Sequence, residues 1–115
     1  MSDFSINTKL YKEKIGLIEV SGFLDAHTFD KLEAEIDELF EKDIHKIIVN
    51  MENVPYISSA GAGVFIWALG QATENGGNVV ILNPTENVTS VLELLGLTQI
   101  FTICNDMDSA LAEFN

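Results

Sequence analysis

Ile47-Ile48-Val49-Asn50-Met51-Glu52-Asn53-Val54-Pro55-Tyr56-Ile57-Ser58-Ser59-Ala60-Gly61-Ala62-Gly63-Val64-Phe65-Ile66-Trp67-Ala68-Leu69-Gly70-Gln71-Ala72 decides how this chain folds. The run from His45 to Asn50 is β-branched and too continuously apolar to be half exposed, so it reads as a central strand covered on both faces. A turn at Asn53 to Ile57 follows. From Ser58 the pattern becomes helical and runs to about Glu74, where Asn75-Gly76-Gly77 supplies a helix stop. Two hydroxyls therefore sit where a strand hands over to a helix. In open α/β sheets this is the edge where ligands and modifications gather, because helix N-termini there point free N–H groups outward.

Upstream, Phe4 to Leu10 and Ile15 to Val20 alternate apolar and polar residues on either side of Lys12-Glu13-Lys14, predicting an antiparallel hairpin. Asp25 is the expected N-cap of the next helix, whose apolar stripe is Phe29, Leu32, Ile36, Leu39 and Phe40. The acidic residues opposite that stripe read as a solvated face. Downstream, Val79 to Leu82 is a second buried strand. Thr85 is placed to cap a helix with the stripe Val88, Val91, Leu92 and Leu95, closed by Gly96. Ile100 to Ile103 reads as a last strand. Asp106 or Asp108 starts a final helix with Met107, Ala110, Leu111 and Phe114 inward. The order ββαβαβαβα makes an α/β fold: a mixed, mostly parallel sheet with an N-terminal antiparallel hairpin and about four helices. No repeat or linker divides it, so residues 1–115 read as one domain.

Composition removes several classes of function. The net charge of −12, from 18 acidic and 6 basic side chains, excludes phosphate-backbone binding to nucleic acid and disfavours anionic membranes. No apolar run reaches the length of a membrane span, and the N-terminus lacks a signal-peptide pattern, which predicts a cytoplasmic protein. The single Cys104 lies in an apolar run and reads as a buried, inert thiol.

Catalysis needs partners that the serines lack. Gly-x-Ser-x-Gly is not met around Ser58 or Ser59. His45 begins its strand at the far end of the sheet, and His27 falls in the first turn of a helix as a surface residue. Gly61-Ala62-Gly63 is only a fragment of a dinucleotide fingerprint, and no lysine or arginine follows Lys46. Histidines, cysteine and carboxylates show no metal-ligand spacing, so neither metal nor cofactor is expected. Asn87-Val88-Thr89 has no meaning as a glycosylation signal in a cytoplasmic protein. What remains is the serine pair, as a helix cap and as a phosphorylation switch. A phosphate there adds about −1.5 to −2 charges at the positive end of a helix dipole, so it is tolerated by the fold and acts chiefly on a docked partner. On the helix, Gly61, Val64, Phe65, Ala68, Leu69 and Ala72 form the core stripe. Ile66 and Trp67 point away from it, either into a neighbouring helix or outward as anchors for a partner, and Gly63 and Gly70 leave the outer face smooth.

Gly22-Phe23-Leu24-Asp25-Ala26-His27-Thr28, Asn53 to Val64, and Leu94-Leu95-Gly96-Leu97 with Phe101-Thr102-Ile103 and Ala110-Leu111 resemble the corresponding segments of the STAS domain. Within it, they look like the small stand-alone anti-sigma factor antagonists of bacteria. The resemblance covers nearly the whole chain and implies a STAS-type fold and a regulatory protein that is a kinase's substrate, not an enzyme. It implies as partners an anti-sigma factor that is itself a serine kinase, which phosphorylates the antagonist, and a metal-dependent serine phosphatase that resets it. The phosphorylated serine falls on Ser59, with Ser58 as second candidate. The chain departs from the family's Asp-Ser-Ser/Thr-Gly at Ser58, at Ala60 and, between the glycines, at Ala62. Partner contacts are expected from Asp25, Thr28, Ser58, Ser59, Gly61, Gly63, Ile66 and Trp67, in a monomer or weak dimer. The alternative is a constitutive STAS scaffold in a signalling or transport assembly, without phosphorylation.

Overall fold

The hairpin that begins the chain turns at Lys12 and Glu13, both with positive φ, as the two central residues of a type I′ turn require. The N–H of Lys14 donates to the carbonyl of Tyr11 at 3.1 Å and closes it. In the computed structural model, which describes residues 3–114, this turn joins β1 (Ser5–Tyr11) to β2 (Ile15–Ser21). Then follow α1 (Phe29–Glu41), β3 (Lys46–Asn53), α2 (Ser59–Glu74), β4 (Asn78–Leu82), α3 (Glu86–Leu94), a 3-10 turn at Leu97–Gln99, β5 (Thr102–Cys104) and α4 (Met107–Ala112).

The strands lie in the order β1-β2-β3-β4-β5, the first pair antiparallel and the rest parallel. Each parallel crossover steps in the same direction, and a right-handed crossover then lays its helix on the same face every time. Packing follows suit. Ile18, Val20, Ile47, Val49, Met51, Val79 and Ile81 face a core shared with Leu32 and Ile36 of α1, Val64, Phe65 and Ala68 of α2, and Val88 and Leu92 of α3. The alternate residues Ile15, Ile48, Val80 and Leu82 point to the opposite face, where Ala110 and Leu111 of α4 and Phe114 just beyond it cover them. The strand β3 is thus buried on both sides, as its unbroken apolar run predicts.

Several local readings shift. Asp25 does not cap α1: the residue before the helix is Thr28, and no side chain accepts from the first turn. Asp25 instead accepts from the N–H of His27 at 2.9 Å, two residues on, and forms a local turn. His27 accordingly lies in that turn and not in the helix. The last strand begins two residues later than expected, because Gly96 at φ 74° ends α3 and lets the 3-10 turn bury Leu97 while Ile100 stays exposed. Leu95, expected inside, is exposed where α3 stops, and Met107 is exposed at the start of α4. Thr85 and Asp106 cap α3 and α4, accepting from Val88 and Ser109. The Ser109 hydrogen bonds hold the Asp106 carboxyl below its usual pKa. Cys104 is buried, and burial first, then the charges of Glu113 and Asp106, push its thiol pKa up. Among the described residues no helix is long and apolar enough to cross a membrane.

Candidate functional site

The carboxyl ends of β2 and β3 continue into two loops that run side by side. The N–H of Gly22 donates to the carbonyl of Asn53 at 3.0 Å and that of Leu24 to Tyr56 at 3.0 Å. The N–H of Ser58 donates back to Leu24 at 2.9 Å, and Leu24 and Ile57 form an isolated parallel bridge. Strand pairing is thereby carried past the sheet, after a register irregularity between Glu19 and Ser21, right up to the start of α2. The two short segments satisfy each other's main-chain groups and form one hydrogen-bonded platform.

Ser58 caps α2 in extended conformation, its hydroxyl accepting from the N–H of Gly61 at a long 3.4 Å while its carbonyl accepts from Ala62 at 2.9 Å. Its neighbour Ser59 is the first helical residue and is exposed. A hydroxyl there projects from the end of the helix that carries partial positive charge, where an added phosphate is electrostatically favoured. Neither serine hydrogen-bonds to a histidine: His27 lies on the neighbouring loop, and His45 lies at the opposite end of β3, stacked on Phe40 with ring centroids 5.0 Å apart.

The other residues expected at the site divide by burial. Thr28 is buried, its hydroxyl donating to the carbonyl of Phe23 at 2.7 Å and accepting from the N–H of Asp25 at 3.0 Å. Gly61 is buried as well. A Cβ there would come within 2.7 Å of the Leu24 carbonyl oxygen, so glycine is what lets α2 approach the loop. Both residues build the platform and offer it no surface. Gly63 is exposed in open space, and Ile66, 49% exposed, stands on the outer face of α2. Trp67 is half-buried against Phe40 of α1, with centroids 5.7 Å apart, so it belongs to the α1–α2 packing and not to an outward anchor. Asp25 is half-buried beside the platform.

Three contributors were missed in the sequence. Phe23 and Tyr56, one from each loop, form an exposed edge-to-face pair at 6.0 Å. The hydroxyl of Thr85, besides capping α3, donates to the carbonyl of Val54 at 3.0 Å and so fastens the loop before Ser58 from below. Large aromatic residues inside otherwise turn-forming loops were the available signal for the first two. For Thr85 there was none, since its partner lies 31 residues away.

The family profile described as the STAS domain matches residues 8–110. This chain belongs to that family. Among curated relatives, it is similar to an anti-sigma-B factor antagonist of Staphylococcus epidermidis, 29% identical over 86 residues that make up 75% of this chain and 80% of that one. Among solved structures, the STAS fold described above superposes on the anti-sigma factor antagonist SpoIIAA in its unphosphorylated form, with a TM-score of 0.84 at 21% identity and 96% of each chain covered. It also matches the phosphorylated form of the Bacillus cell fate determinant SpoIIAA, with a TM-score of 0.76 at 20% identity, covering 96% of this chain and all of the other. The STAS platform formed by the two loops and the start of α2 is the part of this chain where an exposed hydroxyl, a helix N-terminus and exposed aromatic residues coincide.

Proposed function

We propose that this protein is an anti-sigma factor antagonist, a regulatory binding module and not an enzyme, whose affinity for an anti-sigma factor with serine kinase activity is set by phosphorylation of Ser59. The observation that carries this reading is the division of labour between the two hydroxyls: Ser58 is half-buried and used as a cap, whereas Ser59 is exposed in the first turn of α2. Support comes from the name of the staphylococcal relative and from the existence of a phosphorylated form of SpoIIAA.

The physical consequence of the modification falls on binding. The phosphate meets the positive helix end and leaves the domain's own fold neutral or slightly stabilised. A partner seated over α2, touching Ile66 and the open backbone at Gly63, meets about two negative charges in a desolvated contact and is released. A metal-dependent phosphatase restores the binding form. The acidic charge of the chain keeps nucleic acid and anionic membranes away, and the protein works as a cytoplasmic monomer or weak dimer.

The test is incubation with the candidate kinase and ATP, followed by mapping of phosphate by mass spectrometry. Phosphate is expected on Ser59, and modification that persists unchanged in Ser59→Ala overturns the assignment. Ser59→Asp is expected to weaken kinase binding by about tenfold or more, roughly 1.4 kcal/mol. Unchanged affinity would favour a constitutive scaffold.

A further inference from the structure

Beside the platform, on the side of the β2–α1 loop, lies a cleft of about 670 Å³ bounded by the segment before β1, the β2–α1 loop and the end of β3. That volume falls within the range of small-molecule sites. Its walls are aromatic and aliphatic: Phe4, Phe23 and Pro55, with the Phe23 ring 57% exposed even though its edge-to-face contact with Tyr56 holds it in place. Its polar side chains are two carboxylates, the uncharged groups of Ser21, Thr28 and Asn53, and the imidazole of His27. Asp3 and Asp25 contribute the carboxylates, and no lysine lines it.

Asp25 is the decisive group. One carboxylate oxygen accepts from the N–H of His27 at 2.9 Å, which fixes the orientation of the group, and lies 3.4 Å from the Thr28 hydroxyl, whose proton goes to the Phe23 carbonyl. Among the described residues it forms no ion pair. Lys31 already places its ammonium over the Phe4 ring, 5.9 Å from the centroid, so a wall of this cleft holds a cation within the chain itself. An oriented carboxylate without a counter-ion, beside an exposed aromatic ring, is the combination that binds an ammonium or guanidinium group through charge, hydrogen bonding and cation–π attraction.

We infer that this cleft binds a small organic cation, an amine or guanidine with an apolar body, whose charged head pairs with Asp25 and whose body packs against Phe23. This goes beyond the phosphorylation switch and does not require it. The site is nevertheless connected to Ser59, because Leu24 in the cleft's own loop hydrogen-bonds to both Tyr56 and Ser58. A ligand held between Phe23 and Asp25 therefore bears directly on the segment that presents the phosphorylatable serine.

The test is an NMR titration of the unphosphorylated full chain at pH 7.5, with tryptamine and arginine amide as cationic probes and indole-3-propionate as an anionic counterpart of tryptamine. Saturable shifts are expected at the amides of Gly22, Phe23, Thr28 and Asn53, with half-saturation below about 1 mM for at least one cation and none for the anion. Phe23→Ala and Asp25→Asn should each weaken binding about tenfold; Asn keeps the acceptor for His27, so the loop survives the change. Ser59→Ala should bind as the wild type does, which separates failure here from failure of the phosphorylation reading. The inference is overturned by absence of saturation with both cations up to about 10 mM, by equal binding of indole-3-propionate, or by shifts that map to the acidic face of α1.

Discussion

The starts of α1 and α2 lie side by side at the carboxyl edge of the sheet, tied together by the Leu24–Ile57 bridge, and use their hydroxyls in opposite ways. At α1, the Thr28 hydroxyl is buried and committed to two main-chain partners of its own loop, at 2.7 and 3.0 Å. It does no capping of the helix it precedes. At α2, the Ser58 hydroxyl caps its helix through one long bond of 3.4 Å, and Ser59 has its hydroxyl in solvent. One helix start is locked by a side chain turned inward, and the other presents a side chain outward on a base that its neighbour holds rigid. A switch needs both, since a modified residue alters a docking surface predictably only if the backbone beneath it stays in place.

The comparison can be broken most severely at Thr28. Thr28→Val keeps the shape but strands the N–H of Asp25 and the carbonyl of Phe23, and it should cost about 1–3 kcal/mol in chemical denaturation. A loss below about 0.5 kcal/mol, within the range of ordinary surface changes, would show that the inward lock is unimportant. Next in size is the contrast between two glycines of α2. Gly61→Ala forces a methyl against the Leu24 carbonyl and should destabilise by about 1–2 kcal/mol, overpacking outweighing the better helix propensity of alanine. Gly63→Ala meets nothing and should stabilise by about 0.5–1 kcal/mol. Equal effects in the two variants would remove the close approach of α2 to the loop as an explanation. The smallest effects belong to the serines. Ser58→Ala should cost about 0.5–1 kcal/mol as a weakened cap, while Ser59→Ala should leave stability within about 0.5 kcal/mol of wild type. A Ser59→Ala loss larger than that of Ser58→Ala would exchange their roles.

How far each element was legible depends on how local its cause is. The stripe of α1, the buried run of β3 and the cap at Thr85 follow from spacings of a few residues and stand as read. Asp25 was misplaced because an Asp before an apolar stripe suits both a helix cap and a local turn, and the choice fell to Thr28, whose buried hydroxyl draws the loop inward. The last strand slipped by two residues because the apolar run from Ile100 to Cys104 is equally good β sequence throughout. Pairing with Val80 to Leu82 selects which part of it joins the sheet. Trp67 could be either core or anchor by helical angle, and the position of Phe40 decided it.

By itself the sequence determined the order of strands and helices, the place of two serines at a strand-to-helix handover, and a run without lysine or arginine from Ile47 onward. These follow from periodicity, turn chemistry and composition, which are properties of neighbouring residues. Only the tertiary structure decided that Ser58 turns in and Ser59 out, that Gly61 is required by Leu24, and that an aromatic, acidic cleft opens beside them. Each of those depends on two segments roughly thirty residues apart meeting beyond the end of the sheet, and no short-range pattern encodes such a meeting.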